Sequence, residues 1–214
     1  MKNIAFFILI ILGSHQINAQ DSLKIERYKM EAGIYIPLDN LADKIGVSSQ
    51  IGFWYRRPIK YNDILEIGFN MVVPNVRNNF NYKSNDSIYS VKSKGINLFV
   101  GCRINKHYYF LTNASDQYLE WISSIGLHFF SFEDKENPGD NSGYYTNEKG
   151  EKIYRIDTNT KSLMCVGIEQ GFGFNFKQFG LKTLYRFTPY NWFTHKIEKG
   201  FGMSALSISV TYGF

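Results

Sequence analysis

A two-residue alternation of large apolar with small or polar side chains recurs in eight segments of this chain, most of them longer than a typical soluble strand of five or six residues. The segments run from about Arg27 to Ile36, Val47 to Arg56, Asp63 to Val73, Lys94 to Ile104, Tyr118 to Phe132, Ser162 to Phe176, Phe179 to Phe187 and Gly202 to Phe214. In the third, Leu65, Ile67, Phe69, Met71 and Val73 stand against Glu66, Gly68 and Asn70, and the other segments repeat the contrast. Apolar residues recur at helical spacing over no long stretch after Gln20, which excludes a helical bundle.

The two faces differ in kind. A soluble barrel hides its apolar face and covers the other with Lys and Glu, but here the second face is mostly Gly, Ser and Asn with isolated charges. Such residues suit a crowded lumen better than a solvated surface. The expected fold class is therefore all-β: a closed antiparallel up-and-down transmembrane β-barrel, apolar outward and polar inward, closed because lipid cannot satisfy an open sheet edge. An aromatic content of 17% argues against a disordered chain. Two cysteines exclude a disulfide framework or a structural zinc site, and no metal or cofactor is expected.

Met1 to Ala19 reads as a secretory signal peptide, with a cationic start, an unbroken apolar run from Ile4 to Leu12 and Ile17-Asn18-Ala19 before the cut. The run is about half of the roughly 20 residues that a spanning helix needs. Residues 20–214 would then form one barrel domain with a net charge one less than the +5 of the whole chain, because Lys2 is lost. That charge is too small and too scattered to imply a nucleic-acid partner.

With the N-terminus on the periplasmic side, the long connections Pro37–Gly46, Pro74–Ser93, Glu133–Lys161 and Thr188–Phe201 face outward. Inner connections are Arg57–Asn62, Lys177-Gln178 and Asn105–Gln117, the last longer than expected. Two outer connections contain hairpin signals around Ser84-Asn85-Asp86 and Glu148-Lys149-Gly150. They read as protruding extracellular hairpins, polar on both faces, in preference to a strand pair that would make the barrel ten-stranded. Tyr28, Tyr55, Trp121 and Tyr212 are expected in an inner aromatic girdle, with Phe130, Tyr190, Trp192 and Phe201 in an outer one.

Glu31, Glu66, Glu120 and Glu169 share the inward face with Arg56, Arg103, Lys182 and Arg186. Eight strands enclose a lumen just wide enough for side chains to fill, so these charges must pair. A balanced network that plugs the lumen is the expectation, with a narrow conducting path for ions or small solutes as its rival. His128, Ser124 and Glu120 share the same face, but neighbours four apart on a strand stand roughly 13 Å from each other, too far for a catalytic relay.

The final strand, Leu206-x-Ile208-x-Val210-x-Tyr212-x-Phe214, together with the eight segments and the leader, resembles the small outer-membrane barrels of the OmpA and OmpX type. The resemblance implies that this strand is the signal read by the barrel assembly machinery, that outer-membrane lipids surround the barrel, and that the lumen charges form a plug. Some small barrels of this kind are lipid A deacylases or palmitoyl transferases. The His-x-Ser of the deacylases has no counterpart at His107, His128 or His195, so no enzyme is expected. The function read from the sequence is a structural or surface-interaction role at the outer membrane of a Gram-negative cell. Tyr144, Tyr145 and Tyr154 would contact an extracellular protein or surface ligand. A soluble periplasmic barrel around an apolar ligand is the further alternative.

Overall fold

A computed structural model describes residues 26–60, 62–109, 117–139, 143–155 and 157–214. The expected signal peptide and its cleavage site lie outside the described residues. Among the described residues twelve strands and two short helices follow one another as β1 (Tyr28–Pro37), α1 (Asp39–Lys44), β2 (Ile45–Lys60), β3 (Asp63–Val76), β4 (Phe80–Ser84), β5 (Ser87–Val91), β6 (Asn97–Tyr109), β7 (Gln117–Pro138), β8 (Gly143–Thr146), β9 (Lys152–Arg155), β10 (Thr158–Phe176), β11 (Phe179–Phe187), α2 (Tyr190–Phe193) and β12 (Ser204–Gly213). Eight of the strands close into an antiparallel barrel in the order β1-β12-β11-β10-β7-β6-β3-β2. The barrel closes where β1 pairs with β12, Ala32 opposite Val210. The remaining strands form two separate hairpins, β4 with β5 and β8 with β9, so the barrel has eight strands and not ten.

Alternation along each barrel strand places the apolar set outside. Ile51, Ile67, Ile125, Phe172, Leu181 and Val210 are exposed, while Glu31, Glu66, Arg103, Glu169 and Lys182 are buried. A barrel with its oily side outward has the opposite sense to one that dissolves in water, which removes the soluble ligand-binding alternative. No helix among the described residues is long and apolar enough to cross a membrane, and the crossing elements are strands.

Inward-facing glycines form a row across four strands, Gly68 opposite Gly101, Gly101 opposite Gly126, and Gly126 opposite Gly167. A Cβ on Gly126 would meet the Phe99 ring at 2.4 Å, and one on Gly167 would meet the His128 ring at 2.5 Å. The missing side chains are the space that these rings occupy.

Several strands outrun their expected length, β7 through Pro138, β2 from Ile45 to Lys60 and β6 to Tyr109, which shortens the connection expected from Asn105 to Gln117. At the end with the long connections β7 changes character. Its inward face runs Glu120, Ser124 and His128 and then becomes Phe130 and Phe132, all buried. Outward, Trp121, Ile125 and Leu127 give way to Glu133 and Lys135. The strand leaves an apolar surrounding for an aqueous one near residue 130.

Candidate functional site

Three regions carry the chemistry of the molecule: the charged lumen, an aromatic cap over its loop end, and the β8–β9 hairpin beyond the cap.

The lumen is organised around Arg103 of β6. Its Nη1 lies 2.8 Å from Glu31 Oε1 on β1, and its Nη2 lies 3.1 Å from Glu169 Oε2 on β10. The guanidinium carbon sits 3.5 Å from the centroid of the Trp54 ring, a cation–π contact inside the barrel. On the loop side Arg186 closes on Glu169, with Nε at 2.7 Å and Nη2 at 2.6 Å from Oε1, and Lys182 bonds Glu31. On the turn side Arg56 Nε stands 2.9 Å from Glu66 Oε1. Thus all eight charges expected in the lumen are buried and contact an opposite charge.

Two further side chains join the network. Lys29, inward on β1 by the same parity as Glu31, donates to Glu120 Oε1 at 2.8 Å and reaches Glu66 at 3.6 Å. His107 lies 3.4 Å from Glu120 Oε2 and stacks on Tyr118 with ring centroids 4.2 Å apart. Their position on the strand was the available signal, since each stands two residues from another inward polar group. His128, Ser124 and Glu120 form no relay. The His128 ring packs on Phe99 at 4.4 Å and the Ser124 hydroxyl has no partner among the described residues.

The cap is an aromatic core outside the barrel proper. Phe80 of β4 packs on Phe201 at 4.6 Å and on Phe130 and Phe132 at 5.6 Å each, while Tyr82 packs on Phe132 at 4.8 Å. Leu41 of α1, Tyr190 of α2 and Ile197 join the same cluster. The β4–β5 hairpin is pinned on both edges: Lys83 N donates to Lys196 O at 2.6 Å, and Glu133 N donates to Lys92 O at 2.9 Å. Two expectations are corrected here. The β4–β5 hairpin is not polar on both faces, because Phe80 and Tyr82 are buried against the barrel mouth. Phe130, Tyr190 and Phe201 belong to this core and to no outer girdle, and only Trp192 of that set is exposed. Tyr28, Tyr55, Trp121 and Tyr212 are exposed toward the turn end. In the final strand Val210, Tyr212 and Phe214 face outward and exposed, with Leu206 and Ile208 half-buried on the same face.

At the cap margin Asp134 and Glu136 of β7 hold Lys161 of β10, with Lys161 Nζ 2.7 Å from Glu136 Oε2 and 3.4 Å from Asp134 Oδ1. Desolvation pushes the Asp134 carboxyl up, but hydrogen bonds from Asn137 and the Glu136 amide and the charge on Lys161 outweigh it and hold the group below the ordinary aspartate range.

Among the described residues β8 and β9 pair only with each other. Their turn is built by Asn147, whose Oδ1 accepts from the Lys149 and Glu151 amides, and by Gly150 at φ 80°, a left-handed conformation that glycine adopts without strain. Tyr144 and Tyr145 of β8 are 58% and 54% exposed, and Lys152 Nζ stands 4.7 Å from the centroid of Tyr144. Tyr154 lies opposite Tyr144 in β9. No group of histidines, cysteines and acids able to hold a metal occurs among the described residues.

An eight-stranded closed barrel with an apolar exterior and a charged interior decides the architecture. The fold is that of the small outer-membrane barrels. No family model matches the chain, and no curated protein matches it. Among solved structures, the crystal structure of Ail, the attachment invasion locus protein of Yersinia pestis, is similar at 8% identity and TM-score 0.43, over 89% of this chain and 99% of that one. Ail in complex with the heparin analogue sucrose octasulfate is similar at 9% identity and TM-score 0.36, over 87% and 95%. The architecture of the present barrel rests on its own closed register of strand pairs.

Proposed function

We propose that the mature chain is an integral outer-membrane protein of a Gram-negative cell that acts at the surface, in a structural or adhesive role, through the β8–β9 hairpin. The observation that carries this reading is the hairpin itself, lifted beyond the cap on the extended stems of β7 and β10 and presenting Tyr144 and Tyr145 to solvent. Exposed tyrosines give contact area at low entropic cost, and unpaired strand edges accept an added strand from a partner protein. In this reading Met1 to Ala19 is the cleaved leader, Leu206, Ile208, Val210, Tyr212 and Phe214 are read by the assembly machinery, and lipids cover the barrel wall.

Catalysis and conduction are less well supported. The inward histidines have no serine within a relay, and the lumen is filled at mid-height by Arg103, Glu31, Glu169 and Trp54. The test is adhesion of vesicles carrying the wild-type protein, or the Tyr144→Ser/Tyr145→Ser variant, to immobilised extracellular proteins and glycans. Adhesion lost in the variant, with an unchanged heat-dependent mobility shift on a detergent gel, is the expected result. Equal adhesion of both, or single-channel steps in a planar bilayer that vanish in Arg103→Gln, would overturn the reading.

A further inference from the structure

The lumen charges do not balance once Lys29 is included. Among the described residues five buried cations, Lys29, Arg56, Arg103, Lys182 and Arg186, face four buried carboxylates, Glu31, Glu66, Glu120 and Glu169. Toward the turn end Lys29 and Arg56 meet Glu66 and Glu120 and the charges cancel. Toward the loop end Arg103, Lys182 and Arg186 meet Glu31 and Glu169, and Arg103 reaches Glu66 only at 3.9 Å, so the three cations outnumber their two close carboxylates by one. The next buried acid, Asp134, lies at the cap margin with Lys161 as its partner. An unmatched charge in a closed, lipid-walled interior is costly.

Directly above this cluster and beneath the aromatic cap is a small cavity lined by Arg186, His128, Tyr35, Tyr190, Thr188 and Asn97, with no carboxylate in its wall. It has room for about one water-sized particle. Its polar groups are donors in excess of their partners. Arg186 donates from Nε to Glu169 Oε1, and its Nη2, 2.6 Å from the same oxygen, has no hydrogen-bond partner among the described residues. Asn97 lines the cavity and its Oδ1 accepts from Ser131 N, so the amide NH2 is the group it has left to donate. His128 is more than nine-tenths buried, and its Nε2 has no hydrogen-bond partner.

We infer that this cavity binds a single small anion of halide size, which supplies the charge missing from the loop-side half of the lumen network. Its ligands are the Arg186 guanidinium, the Asn97 amide and the Tyr35 and Tyr190 hydroxyls, all able to donate. The inference concerns the lumen and is independent of the role proposed for the β8–β9 hairpin.

The test uses the full mature protein folded in detergent micelles, with chloride as the probe and gluconate replacing it at constant ionic strength. The 35Cl NMR line of a chloride solution should broaden on adding wild-type protein and narrow again on adding bromide. Arg186→Gln should remove the broadening, and so should Lys182→Gln, which does not line the cavity but removes the surplus charge. Tyr35→Phe, a substitution that the barrel tolerates more readily, should weaken chloride binding at least fivefold and so keeps the test decisive if the charge variants fail to fold. Bromide anomalous scattering in the cavity of a crystal would support the assignment directly. No broadening by the wild-type protein, or broadening that survives in folded Arg186→Gln and Lys182→Gln, would overturn it.

Discussion

The lumen and the cap are two cores of one barrel made by opposite chemistry. At the level of the lipid-facing wall the interior is Arg103, Glu31, Glu169 and their neighbours, and the exterior is Ile, Val, Leu and Phe. A few residues further along β7 the interior is Phe130 and Phe132, joined by Phe80 of β4 and by Phe201. The backbone is continuous between them, and the inward parity of β7 does not change. What changes is the solvent outside. Where the surroundings are apolar, hydrophobic burial cannot hold the interior together, and paired charges in register do so. Where the surroundings are water, ordinary apolar burial returns.

This contrast breaks most visibly at its charged centre. Arg103→Gln removes the one guanidinium that bridges Glu31 and Glu169 and leaves both buried carboxylates without that partner, and should cost about 3–5 kcal/mol in a urea titration of the barrel in bilayers. Conversion of the cap should act locally. Phe80→Ala removes the ring that contacts Phe201, Phe130 and Phe132, a loss of about 3–5 kcal/mol for a fully buried aromatic. Hydrogen exchange should quicken in β4, β5 and residues 195–201, while the barrel strands keep their protection and the gel shift persists.

A charge on the lipid wall sharpens the same comparison from outside. Ile125→Lys places an ammonium on the outward face of β7 and should destabilise the barrel by about 2–4 kcal/mol, whereas the nearby outward Lys135 already lives beyond the apolar band at no such cost. The smallest effect concerns pH at the cap margin. The Asp134 carboxyl is held below its ordinary value of 3.8, so its contribution is complete above that pH and is lost as pH falls through the lower value in the folded protein. Amide exchange at residues 132–136 should rise between pH 5 and acid pH in the wild-type protein, by the arithmetic of that linkage, and stay flat in Asp134→Asn.

The barrel was legible in the sequence because the alternation is strict where lipid demands it, and the same parity located Glu31, Arg56, Glu66, Arg103, Glu120, Glu169, Lys182 and Arg186 on one face. Lys29 escaped because it sits at the start of β1, where the pattern begins and parity has few neighbours to lean on. The cap was not legible. Phe80 and Phe201 come from connections far apart in the chain, and nothing near either residue says that they meet. Phe130 was expected in a girdle because an aromatic near a strand end reads the same whether it points toward lipid or over the lumen mouth. Its even position on β7, in phase with Glu120 and His128, was the signal that separated the two.

The inside-out register can be measured residue by residue along β7. Single cysteines from Leu119 to Lys135, spin-labelled in a background without Cys102 and Cys165 and reconstituted in bilayers, report collisions with oxygen in lipid and with a nickel chelate in water. Odd positions through Phe129 should favour oxygen, Glu133 and Lys135 should favour the nickel chelate, and even positions from Glu120 to Phe132 should be shielded from both. Nickel access at Glu120, Ser124 and His128 would mean a water-filled lumen, and nickel access at Trp121, Ile125 and Leu127 would mean that the barrel wall faces water, either of which contradicts the account.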